Sequence, residues 1–197
     1  MQKAAVRILF LFYLFCPVAL FGQVTITEIM YHPENQEDAE FLEIYNLSSS
    51  PVLLDNWCIE GVSFCFEPGQ SIGAGEYLVL GADHEAFLAA YGFEPDGIFP
   101  GRLDNGGEWL RIRDQEGIVV DEVRYDDRPY WPVTPDGLGP SLEVIDPQED
   151  NSIPRNWRAS VHSLGHTAKA RNSVDSDGLP PWFVEKPGFP TAPAPFD

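Results

Sequence analysis

Apolar and polar positions alternate with a two-residue period over several short stretches of the chain. Val24-Thr25-Ile26-Thr27-Glu28-Ile29-Met30 reads this way, and Glu40-Phe41-Leu42-Glu43-Ile44-Tyr45 follows after a polar loop over 33–38. A strand sends successive side chains to opposite faces, so this period predicts strands with one apolar side. The same reasoning predicts strands over 52–54, 77–80, 109–113, 118–125 and 141–145. Turn signals separate them at Asp55-Asn56, Pro68-Gly69, Gly73-Ala74-Gly75, Asp104-Asn105-Gly106-Gly107, Glu116-Gly117 and 135–139. One helix is predicted over 83–91, with Asp83 as its cap and Ala86, Phe87, Ala90 and Tyr91 as its apolar stripe. Many short strands with one minor helix predict an all-β fold, a sandwich of two packed sheets. No repeat of 20–50 residues is visible, which excludes propellers and solenoids. From Leu179 onward six prolines, at 180, 181, 187, 190, 193 and 195, mark an extended Pro-rich C-terminal tail, in which Trp182 and Phe183 could dock back onto the domain.

The segment Trp57-Cys58-Ile59-Glu60-Gly61-Val62-Ser63-Phe64-Cys65-Phe66 predicts a hairpin centred on Gly61-Val62, with facing pairs 57/66, 58/65 and 59/64. Trp57, Ile59, Phe64 and Phe66 then share one face, and Cys58 opposes Cys65 on the other. Such a pair is a candidate disulfide, closing a loop short enough to stabilise by only about 2 kcal/mol. A redox-active pair is disfavoured, since there is no Cys-x-x-Cys and no neighbouring base to lower a thiol pKa.

Charge changes the picture of where the chain works. Of the 197 residues, 31 are acidic and 12 basic, a formal charge of -19. Lys3 and Arg7 precede an apolar run from Ile8 to Phe21, and Gly22-Gln23 supplies the small-residue end of a secretory signal peptide. Cleavage is expected after Gly22, or alternatively after Ala19. At 14 residues the run is short for a bilayer span, which needs about 20. Without residues 1–22 the chain carries 31 acids against 10 bases, a formal -21. Between residues 8 and 101 there is no Lys or Arg at all. A nucleic-acid partner, which requires a basic stripe to displace counterions from phosphates, is therefore excluded, and an anionic membrane surface is disfavoured. An even cysteine count after cleavage agrees with an exported, oxidising setting: secreted, extracellular or in the periplasm or cell envelope. The organisation expected is a signal over 1–22, a sandwich domain over 23–166 and an acidic, Pro-rich tail over 167–197.

Three motifs suggest chemistry. Gly69-Gln70-Ser71-Ile72-Gly73 matches the nucleophile elbow of serine hydrolases, but the elbow needs a strand before the serine and a helix after it, and a strand is predicted next instead. His162 and His166 are spaced as on a zinc helix, without the Glu of a His-Glu-x-x-His motif and with Gly165 weakening the helix. Asp175-Ser176-Asp177-Gly178 resembles the middle of a calcium loop, so Asp175 and Asp177 are the metal candidates. Carboxylates are missing at both ends of that loop, which favours a simple turn; no cofactor is expected, and diffuse binding of calcium to the acidic surface is the alternative. Asn46-Leu47-Ser48 fits a glycosylation acceptor.

Ordered blocks along the chain carry a resemblance. They are Ile26-Thr27-Glu28-Ile29-Met30-Tyr31, Glu40-Phe41-Leu42-Glu43-Ile44-Tyr45-Asn46, Leu54-Asp55-Asn56-Trp57, Gly75-Glu76-Tyr77-Leu78-Val79-Leu80, Leu103-Asp104-Asn105-Gly106-Gly107-Glu108 and Val119-Val120-Asp121-Glu122-Val123-Arg124-Tyr125. Trp131-Pro132, 136–142 and 156–160 continue the series. Together, over residues 24–166, they resemble the lamin tail domain, in particular its secreted bacterial members. Members usually close with Gly-Thr-Pro-Gly-x-x-Asn, from which Gly165-His166-Thr167-Ala168-Lys169-Ala170-Arg171-Asn172 departs. The resemblance implies an immunoglobulin-like β-sandwich and does not imply an enzyme, a catalytic residue or a cofactor. It implies an exported binding or scaffolding module for an extracellular protein or glycan. A calcium-dependent adhesive protein is the alternative, and a serine hydrolase using Ser71 a third. The chromatin contacts of the nuclear members do not transfer to a chain this acidic.

Overall fold

The computed structural model describes residues 23–36 and 38–175. The predicted signal with Gly22, and Asp177 with the rest of the Pro-rich tail, lie outside the described residues. The strands are β1 (Val24–Met30), β2 (Phe41–Asn46), β3 (Val52–Leu53), β4 (Cys58–Glu60), β5 (Phe64–Cys65), β6 (Ser71–Ile72), β7 (Tyr77–Gly81), β8 (Gly97–Ile98), β9 (Trp109–Arg113), β10 (Val119–Arg124), β11 (Leu142–Val144) and β12 (Trp157–Ala159), and the helix is α1 (His84–Tyr91). They form a six-stranded sheet in the order β12-β11-β1-β2-β7-β8, a four-stranded sheet β10-β9-β4-β5 and the small ribbon β3-β6. The architecture is an all-β, immunoglobulin-like sandwich with one short helix.

Alternation explains what lies between the sheets. Ile26, Leu42, Ile44, Leu80, Leu142 and Val144 point inward from the larger sheet and meet Ile59, Leu110, Ile112 and Val123 of the smaller one. All are buried, and each such side chain removed from water contributes roughly 1.5–3 kcal/mol. The predicted hairpin forms in the predicted register, Cys58 opposite Cys65 and Ile59 opposite Phe64, with Phe66 N donating to Trp57 O at 2.8 Å. Ile59 and Phe66 are buried, while Trp57 and Phe64 pack at the margin of the core. Gly61 turns this hairpin at φ +98°, where a Cβ would lie 2.6 Å from Trp109 O, so neither the backbone angle nor the space admits a side chain. Asp83 caps α1 by accepting from Ala86 N at 2.8 Å, and Gly92 ends it in the left-handed conformation.

Three short strands, β6, β8 and β12, have no alternating signal of their own. They are two or three residues long and are defined by their partners β3, β7 and β11. The larger difference concerns β1, in which every residue is buried, Thr25, Thr27 and Glu28 included. Both faces of the six-stranded sheet are covered. Phe87 of α1 packs over Met30, Phe41 and Val79, with Tyr91, Phe93 and Ala168 at the margin. Beside them residues 166–175, assigned by the sequence to the tail from 167 onward, lie across the sheet with Thr167, Asn172 and Val174 buried.

Candidate functional site

Strand register brings three glutamates into one row beneath residues 166–175. Glu28 stands opposite Glu143 on one side and Glu43 on the other, so the row crosses β11, β1 and β2 on the outward face. All three are 0% exposed. Their partners come largely from the overlying segment. Thr167 N and Ser141 Oγ donate to Glu28 Oε1 at 3.0 and 2.6 Å, Lys169 N to Glu43 Oε2 at 2.7 Å, and Ser173 Oγ and Val174 N to Glu143 Oε2 at 2.8 and 3.3 Å. Thr27 Oγ1 donates to Glu43 Oε1 at 2.8 Å. Asn172 Nδ2 fastens the same segment to Thr27 O and Val144 O, both at 2.9 Å. Burial, reinforced by the neighbouring Glu143, pushes the Glu28 carboxyl up to about 8. Burial and then the charge of Glu28 hold Glu43 well above the ordinary carboxylate range.

A half-buried carboxylate, Asp121, joins the two sheets. Asp121 Oδ2 accepts from Ile26 N and Asn151 Nδ2, both at 2.8 Å, and from Thr25 Oγ1 at 3.3 Å. Register irregularities at Ile26/Glu28 in β1 and Val119/Asp121 in β10 free these groups from their own ladders. Burial raises the Asp121 carboxyl above its ordinary value, against the pull of its hydrogen bonds. Asn151 continues the network by accepting from Trp157 Nε1 at 2.6 Å through its backbone oxygen.

The exposed face with binding chemistry belongs to the four-stranded sheet. Trp109, Arg111 and Arg113 alternate outward from β9 with Leu110 and Ile112 buried between them. Arg124 stands opposite Trp109, and Glu122 and Glu60 flank Arg111. The Arg111 and Arg124 guanidiniums lie 4.3 and 5.9 Å from the Trp109 ring centroid, close enough for cation–π attraction. Arg111 Nε meets Glu122 at 2.7 Å and Arg113 Nε meets Glu60 at 2.6 Å, which fixes the guanidiniums in place. Trp109 keeps 42% of its surface exposed, and Cys58–Cys65 closes the same face as a disulfide. Elsewhere, a cavity of about 290 Å³ is lined by His32, Glu40, Arg102, Leu103, Asp104 and Asn105. There Glu40 Oε2 accepts from Leu103 N at 2.6 Å, and burial pushes the Glu40 carboxyl up to about 7.

The residues singled out in sequence fall in separate places. Ser71 is exposed on β6 and is followed by a turn and β7, not by a helix. His166 packs edge-on against Phe41 and Tyr91, and His162 sits in an exposed turn with no helix joining the two. Asp175 Oδ1 accepts from Arg171 Nη2 at 2.7 Å. Among the described residues no three His, Cys, Asp or Glu side chains converge as a metal would require, and no helix is long and apolar enough to cross a membrane. Asn46, the glycosylation candidate, is 0% exposed. Its Nδ2 donates to Ser50 O, Ile72 O and Gly73 O at 2.9, 3.1 and 2.9 Å, so no glycan can be attached to it in the fold. The glutamate row and Asp121 were not singled out, because a polar residue in an alternating strand reads as solvent-facing.

The family model of the lamin tail domain matches residues 17–127, more than half of the chain. The chain belongs to the lamin tail domain family. The match takes in β1 to β10, and so the whole four-stranded sheet with its Trp109 face, while β11, β12 and the overlying 166–175 segment lie beyond it. The lamin tail domain is a structural, immunoglobulin-like family and not a known enzyme family, which agrees with the sandwich described above. No curated protein matches the chain.

Proposed function

We propose that this lamin tail domain protein is an exported, non-catalytic binding or scaffolding module that engages an extracellular protein or glycan in the cell envelope or outside the cell. The observation that carries the reading is the fixed Trp109 platform with Arg111 and Arg124 on the outward face of the four-stranded sheet. An aromatic ring beside Arg111, which Glu122 holds in place, and the exposed Arg124 offers stacking area and hydrogen-bond donors. Export is supported by Lys3 and Arg7 before the apolar run from Ile8 to Phe21, and by a disulfide that an oxidising compartment would preserve. The acidic composition supports a partner other than nucleic acid.

The test is a glycan array together with binding to purified envelope components, followed by titration of each hit with wild-type, Trp109→Ala and Arg124→Ala proteins. A ligand whose Kd rises at least tenfold in Trp109→Ala is expected. Absence of any ligand, or a ligand indifferent to both substitutions, overturns the reading. Export is tested separately, by sequencing the N-terminus of the protein recovered outside the cytoplasm. An N-terminus at Gln23 is expected; an intact Met1 would refute cleavage, and protein found only in the cytoplasm would refute export.

A further inference from the structure

Counting hydrogens in the glutamate row shows that it holds a proton. Thr167 Oγ1 lies 3.2 Å from Glu28 Oε2 and 2.9 Å from Glu143 Oε1. A hydroxyl carries one hydrogen, so it can donate to only one of two carboxylate oxygens. The other contact is a hydrogen bond only if the carboxyl itself donates. Glu28 Oε1 already accepts from Ser141 Oγ and Thr167 N, and Glu143 Oε2 from Ser173 Oγ and Val174 N. The contacts close when one of the two carboxyls carries a proton and donates to Thr167 Oγ1, which donates to the other. Glu28 stands at the centre of the row, between Glu143 and Glu43, so its ionisation is the one opposed from both sides. With both carboxyls ionised, the hydroxyl would face two carboxylates with one hydrogen, and two adjacent buried charges would repel.

We propose that residues 166–175 form a proton-operated strap, closed over the six-stranded sheet while Glu28 is protonated and released from it when Glu28 ionises. The strap's own anchors define the device. Three of its backbone amides, Thr167, Lys169 and Val174, end on the three glutamates, so a change of charge in the row is felt directly by the covering segment. Release uncovers the outward face of β11, β1 and β2.

Other titratable groups surround the row. Arg158 of β12 is in register beside Glu143, and Tyr77 of β7 stands in register with Tyr45, two residues from the pair Glu43 and Val79. Tyr91 of α1 donates to Ala39 O at 2.6 Å and packs on His166 of the strap. Lys169 and Arg171 of the strap pair with Asp96 and Asp175 at 2.8 and 2.7 Å. Burial raises the Tyr77 and Tyr91 phenols, so both stay neutral through the window in which Glu28 responds, and it lowers the His166 imidazole, which favours opening only toward the acid side, opposite in sign to Glu28.

The direction follows from linkage. In the open strap Glu28 is a solvated carboxyl with an ordinary value near 4.5, and in the closed strap it is raised to about 8. The closed form binds the proton more tightly, so closure is complete in acid and weakens as pH rises. The Glu28 proton alone makes the opening constant grow about tenfold per pH unit between those two values and level off above the higher one, and Glu43, also raised and held by Lys169 N, adds to the same direction.

The experiment is hydrogen exchange of the strap amides across pH 5.5 to 8.5, corrected for intrinsic rates and referenced to β9 amides, in wild type and Glu28→Gln. The amide of glutamine mimics the protonated carboxyl as donor and acceptor. Wild-type strap protection is expected to fall at least tenfold from pH 5.5 to 7.5, and the variant to fall by clearly less, the remainder coming from Glu43. Protection that does not change with pH, or that changes equally in both proteins, overturns the proposal. Carboxyl-carbon NMR titration of the wild type needs no variant. A Glu28 resonance still protonated at pH 6.5 supports the strap, and a midpoint at or below 5 overturns it.

Discussion

Asn46 gives the sharpest test of how the sandwich is held together. Its side chain sits at the end of β2, where two amide hydrogens serve the oxygens of Ser50, Ile72 and Gly73 and its own oxygen accepts from Ser48 N and Ser48 Oγ at 2.9 and 2.8 Å. Asn46 thus ties the last turn of the six-stranded sheet to the β3-β6 ribbon. Asn46→Asp changes one atom group, keeps the shape, and turns an oxygen toward three carbonyl oxygens. At least two of those buried acceptors lose their hydrogen, at about 1–3 kcal/mol each. The expected loss is roughly 2–6 kcal/mol, a large share of the roughly 5–15 kcal/mol that holds a domain folded. For a domain of this size that lowers Tm by roughly 5–20 °C. Asn46→Ala loses the same bonds without the opposed oxygen and is expected to be the milder change. Urea unfolding followed by tryptophan fluorescence measures both. If Asn46→Asp falls within about 1 kcal/mol of wild type, the three contacts are not the fastening described here.

Four further outcomes are expected. Global stability should be highest near pH 5 and decline toward pH 8, because Glu28 and Glu40 are raised to about 8 and about 7 from 4.5 and their stabilising protons are lost over that interval; Tm rising with pH would contradict this. Replacing Cys58 and Cys65 together by Ser should cost about 2 kcal/mol in chemical unfolding while leaving far-UV circular dichroism unchanged, since the bridge closes only a short loop. Folded protein secreted by a glycosylating host should carry no glycan at Asn46 by mass spectrometry, and a folded glycoform would refute its burial. Millimolar calcium should leave Tm unchanged, given that Asp175 is engaged by Arg171; a shift of several degrees would revive a calcium-dependent role.

Period-two alternation was enough to read the inner faces, because Ile26, Leu42, Ile44, Leu110 and Ile112 meet no competing signal. The cysteine register was legible for the same reason, a single hairpin whose apolar residues all prefer one side. Alternation misled on the outer face of the six-stranded sheet. Thr27, Glu28, Glu43 and Glu143 carry the pattern of solvent-facing positions, and what buries them is a segment far along the chain with no periodicity. A local rule cannot register a cover of that kind. The Gly-x-Ser-x-Gly match shows the converse: Ser71 has the spacing of an elbow, and the strand that follows it removes the geometry on which the chemistry depends. Trp109 was legible as a strand residue but not as an exposed one, since an aromatic in an alternating strand is ordinarily counted toward the core.

The placement of β1 between β2 and β11 bears on how the protein comes into being. One edge of β1 is filled within a few residues by β2, but its other neighbour is separated from it by more than a hundred residues of chain. During synthesis that edge, flanked by Ile26 and Ile29, stands open while everything up to Leu142 is made. An unfilled apolar edge is a template for pairing with other chains, and closing it over so long a loop is intrinsically slow. The edge most exposed to mispairing is therefore at the start of the domain, and only β11, among the last strands made, protects it.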